Sequence, residues 1–161
     1  MPDMHTAILL FGSNIRPEEN LRCALDELCA CCSLRRVSTT WETLPIDSPG
    51  APNFLNLAAE MDTPLEAEPM KAQLLRPLEA RFGRVRTADK NAPRTLDIDI
   101  IVFDGQVIDS ALWQRAFIAL PIAELLPNLP HPQTGERLAD FAQRILPSSG
   151  AQSLPHIHIC P

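Results

Sequence analysis

Arg94-Thr-Leu-Asp-Ile-Asp-Ile-Ile-Val-Phe103 is the stretch whose reading decides the fold, and it is entered through Lys90-Asn-Ala-Pro93. Leu96 to Phe103 is apolar and rich in β-branched residues, which predicts a strand. Asp97 and Asp99 interrupt it. Residues two apart on a strand share a face. The two carboxylates should therefore project side by side, with Leu96, Ile98, Ile100 and Val102 on the other face. Adjacent anions repel unless a cation sits between them. One or two Mg²⁺ ions are the usual solution, because this hard cation prefers carboxylate oxygen and leaves positions for substrate phosphates. The short Asp-x-Asp spacing also suits solvated aspartates or partners of nearby arginines, so spacing alone leaves the choice open.

The residues ahead of the strand favour the metal. Arg76, Arg81, Arg84, Arg86, Lys90 and Arg94 fall there, nearly half of the 14 Lys and Arg in a chain of net charge −6. A helix C-terminus attracts basic residues through its dipole, which accounts for Arg81 and Arg84. It does not account for the run continuing past Gly83. Arginine presents a planar fork of donors suited to phosphate. A cationic loop opening onto paired carboxylates is a place where Mg²⁺ and arginines can share a polyphosphate.

Lys90-Asn-Ala-Pro-Arg94-Thr-Leu-Asp97-Ile-Asp99-Ile-Ile101 resembles the signature of the 6-hydroxymethyl-7,8-dihydropterin pyrophosphokinase family. Other pieces follow in the family's order: Gly12-Ser-Asn14, Phe54-Leu-Asn56, Leu78-Glu79, Gly83-Arg84-Val-Arg86 and Arg115-Ala-Phe117. The resemblance spans roughly residues 6 to 146. It implies pyrophosphoryl transfer from ATP, the co-substrate, to the 6-hydroxymethyl group of the dihydropterin in folate biosynthesis, giving AMP. It implies two Mg²⁺ ions on Asp97 and Asp99, and a catalytic group made of these two with Arg84 and Arg94. For ATP it nominates Glu79, Arg84, Arg86, Arg94, Ile100 and Arg115. For the pterin it nominates Gly12, Thr43, Leu44, Phe54, Asn56 and Asp97, with Phe117 stacking opposite Phe54.

Length and composition bound the rest. The 161 residues suit one domain, and 45% hydrophobic residues can build a real core. The expectation is one domain over 1–161, with its core at about 6–146 and a loose C-terminal tail. No apolar run approaches the length of about 18 residues that a membrane span needs. The short Ile8 to Phe11 run, preceded by Asp3, is no signal-peptide core. The expected location is cytoplasmic and the expected state monomeric. An acidic balance argues against a general nucleic-acid binder. The five cysteines, an odd number, argue against a disulfide framework. Cys29-Ala-Cys31-Cys32 lacks a second half for a metal cluster, and reads as thiols around a helix end.

In chain order, Thr6 to Phe11 reads as a buried strand stopped by the Gly12-Ser-Asn14 turn. Pro17 suits a first helical position, followed by Leu21, Leu25, Leu28 and Cys32 on one face. Arg35 to Thr43 reads as a second strand, and 44–53, with three prolines, as a lid over a pocket. Phe54 to Met61 alternates, with Leu55, Leu57, Ala59 and Met61 on the core face. Phe54 and Asn56 take the other face, where an aromatic ring and an amide suit a flat heterocycle. A helix is expected over 69–82, kinked or broken at Pro77. Asp104-Gly105 signals a hairpin leading to Gln106–Ile108. Two short helices are expected, at 121–126 and 135–145.

The order of strand, helix, two strands, helix and strand is the ferredoxin-like βαββαβ arrangement, an α+β fold with an antiparallel sheet and an appended hairpin. Two rivals to the transferase reading remain. One is a paralogue that binds a pterin or nucleotide with altered or lost transfer activity. The other is an RNA-binding ferredoxin-like module, which the acidic balance and the scarcity of aromatics on the central strands disfavour. Most members of the family that the chain resembles carry a His-Pro segment before Arg-x-Phe. Here Ser110-Ala-Leu-Trp-Gln114 stands in its place, and Asn91 stands where the family has an aromatic. The resemblance therefore implies altered adenosine contacts, with Trp113 the candidate replacement by stacking.

Overall fold

The computed structural model describes residues 2–83 and 95–159. Its centre is a sheet of seven strands among the described residues, all of whose pairings are antiparallel. In chain order they are β1 (His5–Ser13), β2 (Ser33–Val37), β3 (Trp41–Thr43), β4 (Phe54–Thr63), β5 (Asp97–Phe103), β6 (Gln106–Val107) and β7 (Gln152–Ser153). The sheet runs β6-β5-β1-β4-β3-β7, and β2 also pairs with β4. The central order β5-β1-β4-β3 is the ferredoxin-like one expected from the element order. The expected second strand is divided: residues 38–40 separate β2 from β3, and both lie along β4.

Period two sorts the side chains into two cores. Ala7, Leu9 and Phe11 of β1 join Leu55, Leu57, Ala59 and Met61 of β4 on one face. That face is covered by α1 (Pro17–Cys29), whose Leu21, Leu25 and Leu28 are fully buried. Pro17 opens α1 and Glu18 and Glu19 occupy its first turn, where the helix dipole favours negative charge. The other face carries Ile8, Leu10 and Ala58, covered by α4 (Ala116–Leu125) and α5 (Leu138–Ser149).

The helix expected over 69–82 is present but irregular. It consists of α2 (Ala67–Met70), a π turn (Lys71–Leu75) and α3 (Arg76–Arg81). The irregularity lies just ahead of Pro77. Proline cannot donate to the carbonyl four residues back, and its ring clashes with that carbonyl. A wider turn relieves both problems. Asp104 and Gly105 both have positive φ, 47° and 80°, as a type I′ hairpin turn requires.

Several expectations need correction. β1 does not stop at Gly12 but continues to Ser13. The alternation of β5 fails near its end. A bulge shifts its register against Ile8 and Leu9, so Val102 joins Ile101 in the second core instead of facing the same way as Ile98. A bulge adds a residue to one strand and resets the faces beyond it. α4 begins five residues earlier than expected and carries Pro121 internally. Burial of Ile118, Ala119, Leu120 and Ile122 outweighs the backbone bond that the proline removes. α5 likewise runs to Ser149, past the expected end.

The C-terminal segment is not a loose tail. β7 pairs with β3, Leu154 N donates to Thr40 O (2.8 Å), and Ile159 is 4% exposed in the first core. His158 O accepts from Arg22 Nη2 at 3.2 Å. The segment completes the edge of the sheet and closes one side of the core over α1.

Candidate active site

Two adjacent rungs of the sheet build the site. Gly12 of β1 lies opposite Asn56 of β4 and Asp97 of β5. One rung on, Leu10 lies opposite Ala58 and Asp99. All six project toward the α4 side, because period two places them on the face of Leu10 and Ala58. At the β3 edge, Thr43 lies opposite Phe54. Thr43 Oγ1 accepts from Asn56 Nδ2 at 2.6 Å, which fixes the amide and turns its oxygen toward Gly12. A Cβ on Gly12 would come within 2.8 Å of that oxygen. Gly12 is thus needed for close approach across the sheet, not for the turn chemistry its sequence context suggested.

A cavity of about 180 Å³ opens here. Gly12, Thr43, Leu44, Phe54, Asn56, Asp97 and Phe117, nominated from the sequence, all line it. Phe117 arrives from the first turn of α4. Leu10, Ile46 and Asp99 complete the lining. Leu10 was legible, since it sits two residues before Gly12 on a strand. Ile46 was not, because nothing local sets the path of 44–53. That loop is held partly from below, by Asn14 Nδ2 donating to Pro52 O at 3.3 Å.

A second cleft, of about 290 Å³, adjoins the first. Ile100 and Asp99 of β5, Lys71 and Arg76 of the irregular helix, and Asp109 and Ser110 beyond the hairpin contribute to it. Lys71 and Arg76 are five residues apart. On a regular α-helix that spacing turns them well away from each other. In the π turn, Arg76 N donates to Lys71 O, and the wider turn brings both to one cleft. No α-helical template could have paired them.

Glu79 is 1% exposed and does not line either cleft. Its carboxylate accepts from Ile98 N (3.0 Å) and Arg76 Nη1 (2.7 Å). It therefore braces the strand between the two aspartates and orients Arg76 at the cleft wall. Arg115 caps α4 at an exposed position and lines neither cleft. Arg84, Arg86, Lys90, Asn91 and Arg94 lie outside the described residues. Trp113 is turned into the second core, with its ring 4.8 Å from His131 and 5.4 Å from Phe141. It lines neither cleft, so the expected stacking on adenine has no support in its placement.

Among the described residues, Asp99 is the one acid that lines both clefts. Burial, then the carboxylates of Asp97 and Glu79, push its pKa up to about 6, and Arg76 only partly offsets them. Such a group gains from a cation. The described residues contain no cluster of three or more His, Cys, Asp or Glu able to hold a metal. Asp97 and Asp99, two carboxylates in the wall of one cavity, are a donor set that a Mg²⁺ ion would fit, since this cation takes one or two carboxylates and completes its shell with water and substrate phosphate. Burial, then Cys31, pushes the Cys32 thiol up to about 11, away from thiolate chemistry.

Residues 8–127 match the sequence model of the 7,8-dihydro-6-hydroxymethylpterin-pyrophosphokinase family. The chain belongs to this family. A relative in Pseudomonas aeruginosa, named 2-amino-4-hydroxy-6-hydroxymethyldihydropteridine pyrophosphokinase, is 33% identical over 155 residues, covering 89% of this chain and 93% of that protein. The Dictyostelium discoideum folic acid synthesis protein FOL1 is 30% identical over 77% of this chain, which spans only 20% of that protein. Among solved structures, Plasmodium falciparum HPPK-DHPS aligns with a TM-score of 0.66 at 11% identity, over 90% of this chain and 45% of that one. The last likeness concerns the fold. This chain thus spans less than half of some of the larger proteins it resembles, and most of the length of the single pyrophosphokinases. No helix among the described residues is long and apolar enough to cross a membrane.

Proposed function

We propose that this chain transfers pyrophosphate from ATP to the 6-hydroxymethyl group of 6-hydroxymethyl-7,8-dihydropterin, giving the pterin diphosphate and AMP. The observation that carries the reading is the position of Asp99 where two clefts meet. One cleft has an aromatic and amide lining that suits a pterin. The other has Lys71 and Arg76, cations that suit a polyphosphate. Membership of the family supports both identities.

In the first cleft, Phe54 and Phe117 take the faces of the ring. Asn56, its Nδ2 donating to Thr43, offers Oδ1 to a ring N–H. Asp97, across Gly12 from Asn56, lies beside the hydroxymethyl group. The hydroxyl oxygen attacks the β-phosphorus of ATP. The bond from that phosphorus to the oxygen bridging the α-phosphorus breaks, and AMP leaves with the electron pair. Asp97 takes or polarises the hydroxyl proton. Asp97 and Asp99 would hold the two Mg²⁺ ions, whose positive charge would offset that of the phosphate oxygens. Ile100 packs against the nucleotide, and Glu79 serves it through Arg76. Arg84 and Arg94 balance the charge that builds as the bond breaks, and Arg86 and Arg115 draw in the anionic nucleotide. One chain supplies both clefts among the described residues, so a monomer suffices, and the compartment of this reading is the cytoplasm.

The test is direct. Purified protein with ATP, Mg²⁺ and hydroxymethyl-dihydropterin should release AMP in step with pterin diphosphate, and omission of Mg²⁺ should stop it. Pterin binding without AMP release would instead identify a binding paralogue.

A further inference from the structure

The C-terminal segment meets the first cleft at one point. In the β3–β7 ladder, Trp41 lies opposite Ser153 and Glu42 opposite Gln152. Each pair of numbers sums to 194, so the same register carried outward places Gly150 opposite Leu44. The contact agrees. Gly150 ends α5 in the left-handed region, with φ 72°, and a Cβ there would lie 2.5 Å from Leu44 Cδ1 and 3.2 Å from Leu44 Cγ. Leu44 therefore rests on the bare Cα of Gly150. It is also the first residue beyond β3 and a wall of the cavity.

Leu44 is 54% exposed, so few other contacts hold its side chain in place. Its neighbour Thr43 is buried and bonded to Asn56. The backbone at the start of the loop is thus fixed, while the leucine side chain takes its direction from what lies behind it. That backing is firm. Ser149 Oγ donates to Leu146 O (2.7 Å) and accepts from Ala151 N (3.0 Å), which fixes the chain on both sides of Gly150. Leu154 N and Ile159 then anchor the segment beyond.

We infer that Gly150 is a positioning residue for the heterocycle: its missing side chain seats Leu44 against the slot, and the C-terminal segment acts as the slot's outer brace. The inference rests on the pterin reading of that cavity. Any side chain at 150 meets the far end of a flexible, half-exposed leucine. The leucine swings aside at little cost to the fold, and the slot loses a wall.

Gly150→Asn separates this effect from backbone strain, because asparagine tolerates the left-handed conformation yet carries a Cβ. The expected result is a KM for the dihydropterin raised on the order of tenfold, as for a lost apolar contact. kcat, the KM for ATP and the melting temperature should stay close to those of the unchanged chain. Leu44→Ala alone should raise the pterin KM similarly. In Leu44→Ala/Gly150→Asn the two effects should not multiply, since the clash no longer exists. This double variant also serves if Gly150→Asn alone folds poorly. An unaltered pterin KM in Gly150→Asn, or effects that multiply in the double variant, would overturn the inference. If the unchanged chain shows no pterin binding, the functional reading itself fails, and the inference with it.

Discussion

Asp99 concentrates the electrostatics of the site. Its folded pKa of about 6 lies above the ordinary 3.8, through burial and then Asp97 and Glu79. In the metal-free protein the folded state therefore holds this proton more tightly than the unfolded chain does. The stability so gained is complete below about pH 4 and is lost as pH rises through about 6. Asp99→Asn should flatten that part of the stability curve, by roughly 2 kcal/mol, when urea unfolding is followed between pH 4 and 7. The catalytic consequence is larger. Asp97→Ala and Asp99→Ala should each lower AMP formation by roughly a thousandfold or more, as expected for loss of a metal-holding carboxylate. Circular dichroism should show both variants folded. Near-normal turnover in either would remove it from the metal assignment. Gly12→Ala tests the other end of the same rung. A methyl group there meets the Asn56 oxygen and must push the amide off its Thr43 partner. Pterin binding should weaken by about 1–3 kcal/mol, the range for leaving a buried polar group unpaired, read by calorimetric titration.

Elements decide which of these residues face the substrate. The π turn delivers Lys71 and Arg76 together to the second cleft, and such turns recur at functional sites. The bulge in β5 falls after Asp97 and Asp99, so the acids keep their common face while Val102 changes sides. The short link between β6 and α4 is the 3-10 turn Ser110–Trp113, followed by Arg115 at the helix cap. It buries Leu112 and turns Trp113 inward, so no aromatic from this turn lines either cleft. ATP should consequently bind less tightly than in a relative with the His-Pro segment. Discrimination between ATP and GTP should be poorer as well, because base contacts are lost while phosphate contacts remain. Calorimetry with both nucleotides at one Mg²⁺ concentration decides this. Equal affinity and equal selectivity in the two proteins would show that another element reads the base. At the far edge of the sheet, Ile159 is buried in the first core. Ile159→Ala should destabilise by about 2–5 kcal/mol in urea unfolding, where a substitution in a loose tail would fall within about 0.5 kcal/mol.

For the molecule as a whole, local information and tertiary information divide cleanly. Strand and helix order, the antiparallel α+β class, the paired aspartates and the Phe54/Asn56 face could be read from the chain. Each depends on period two, period 3.6 or turn residues, which act over a few neighbours. The family signature also nominated Gly12, Thr43, Leu44, Phe54, Asn56, Asp97 and Phe117, all of which line the first cavity, and missed Leu10 and Ile46. What it could not reach depends on partners distant along the chain. Residues 152–159 mix polar and apolar side chains around Pro155 without a long periodic run, and look like a free end until β3 supplies an unpaired edge and the α1 face an apolar floor. Gly12 reads as a turn residue until Asn56, 44 positions later, lies across it. Glu79 reads as a nucleotide contact until the backbone of β5 takes its carboxylate from the cleft. In each case the deciding energy is burial or a hydrogen bond to another element, and only the folded arrangement brings that element within reach.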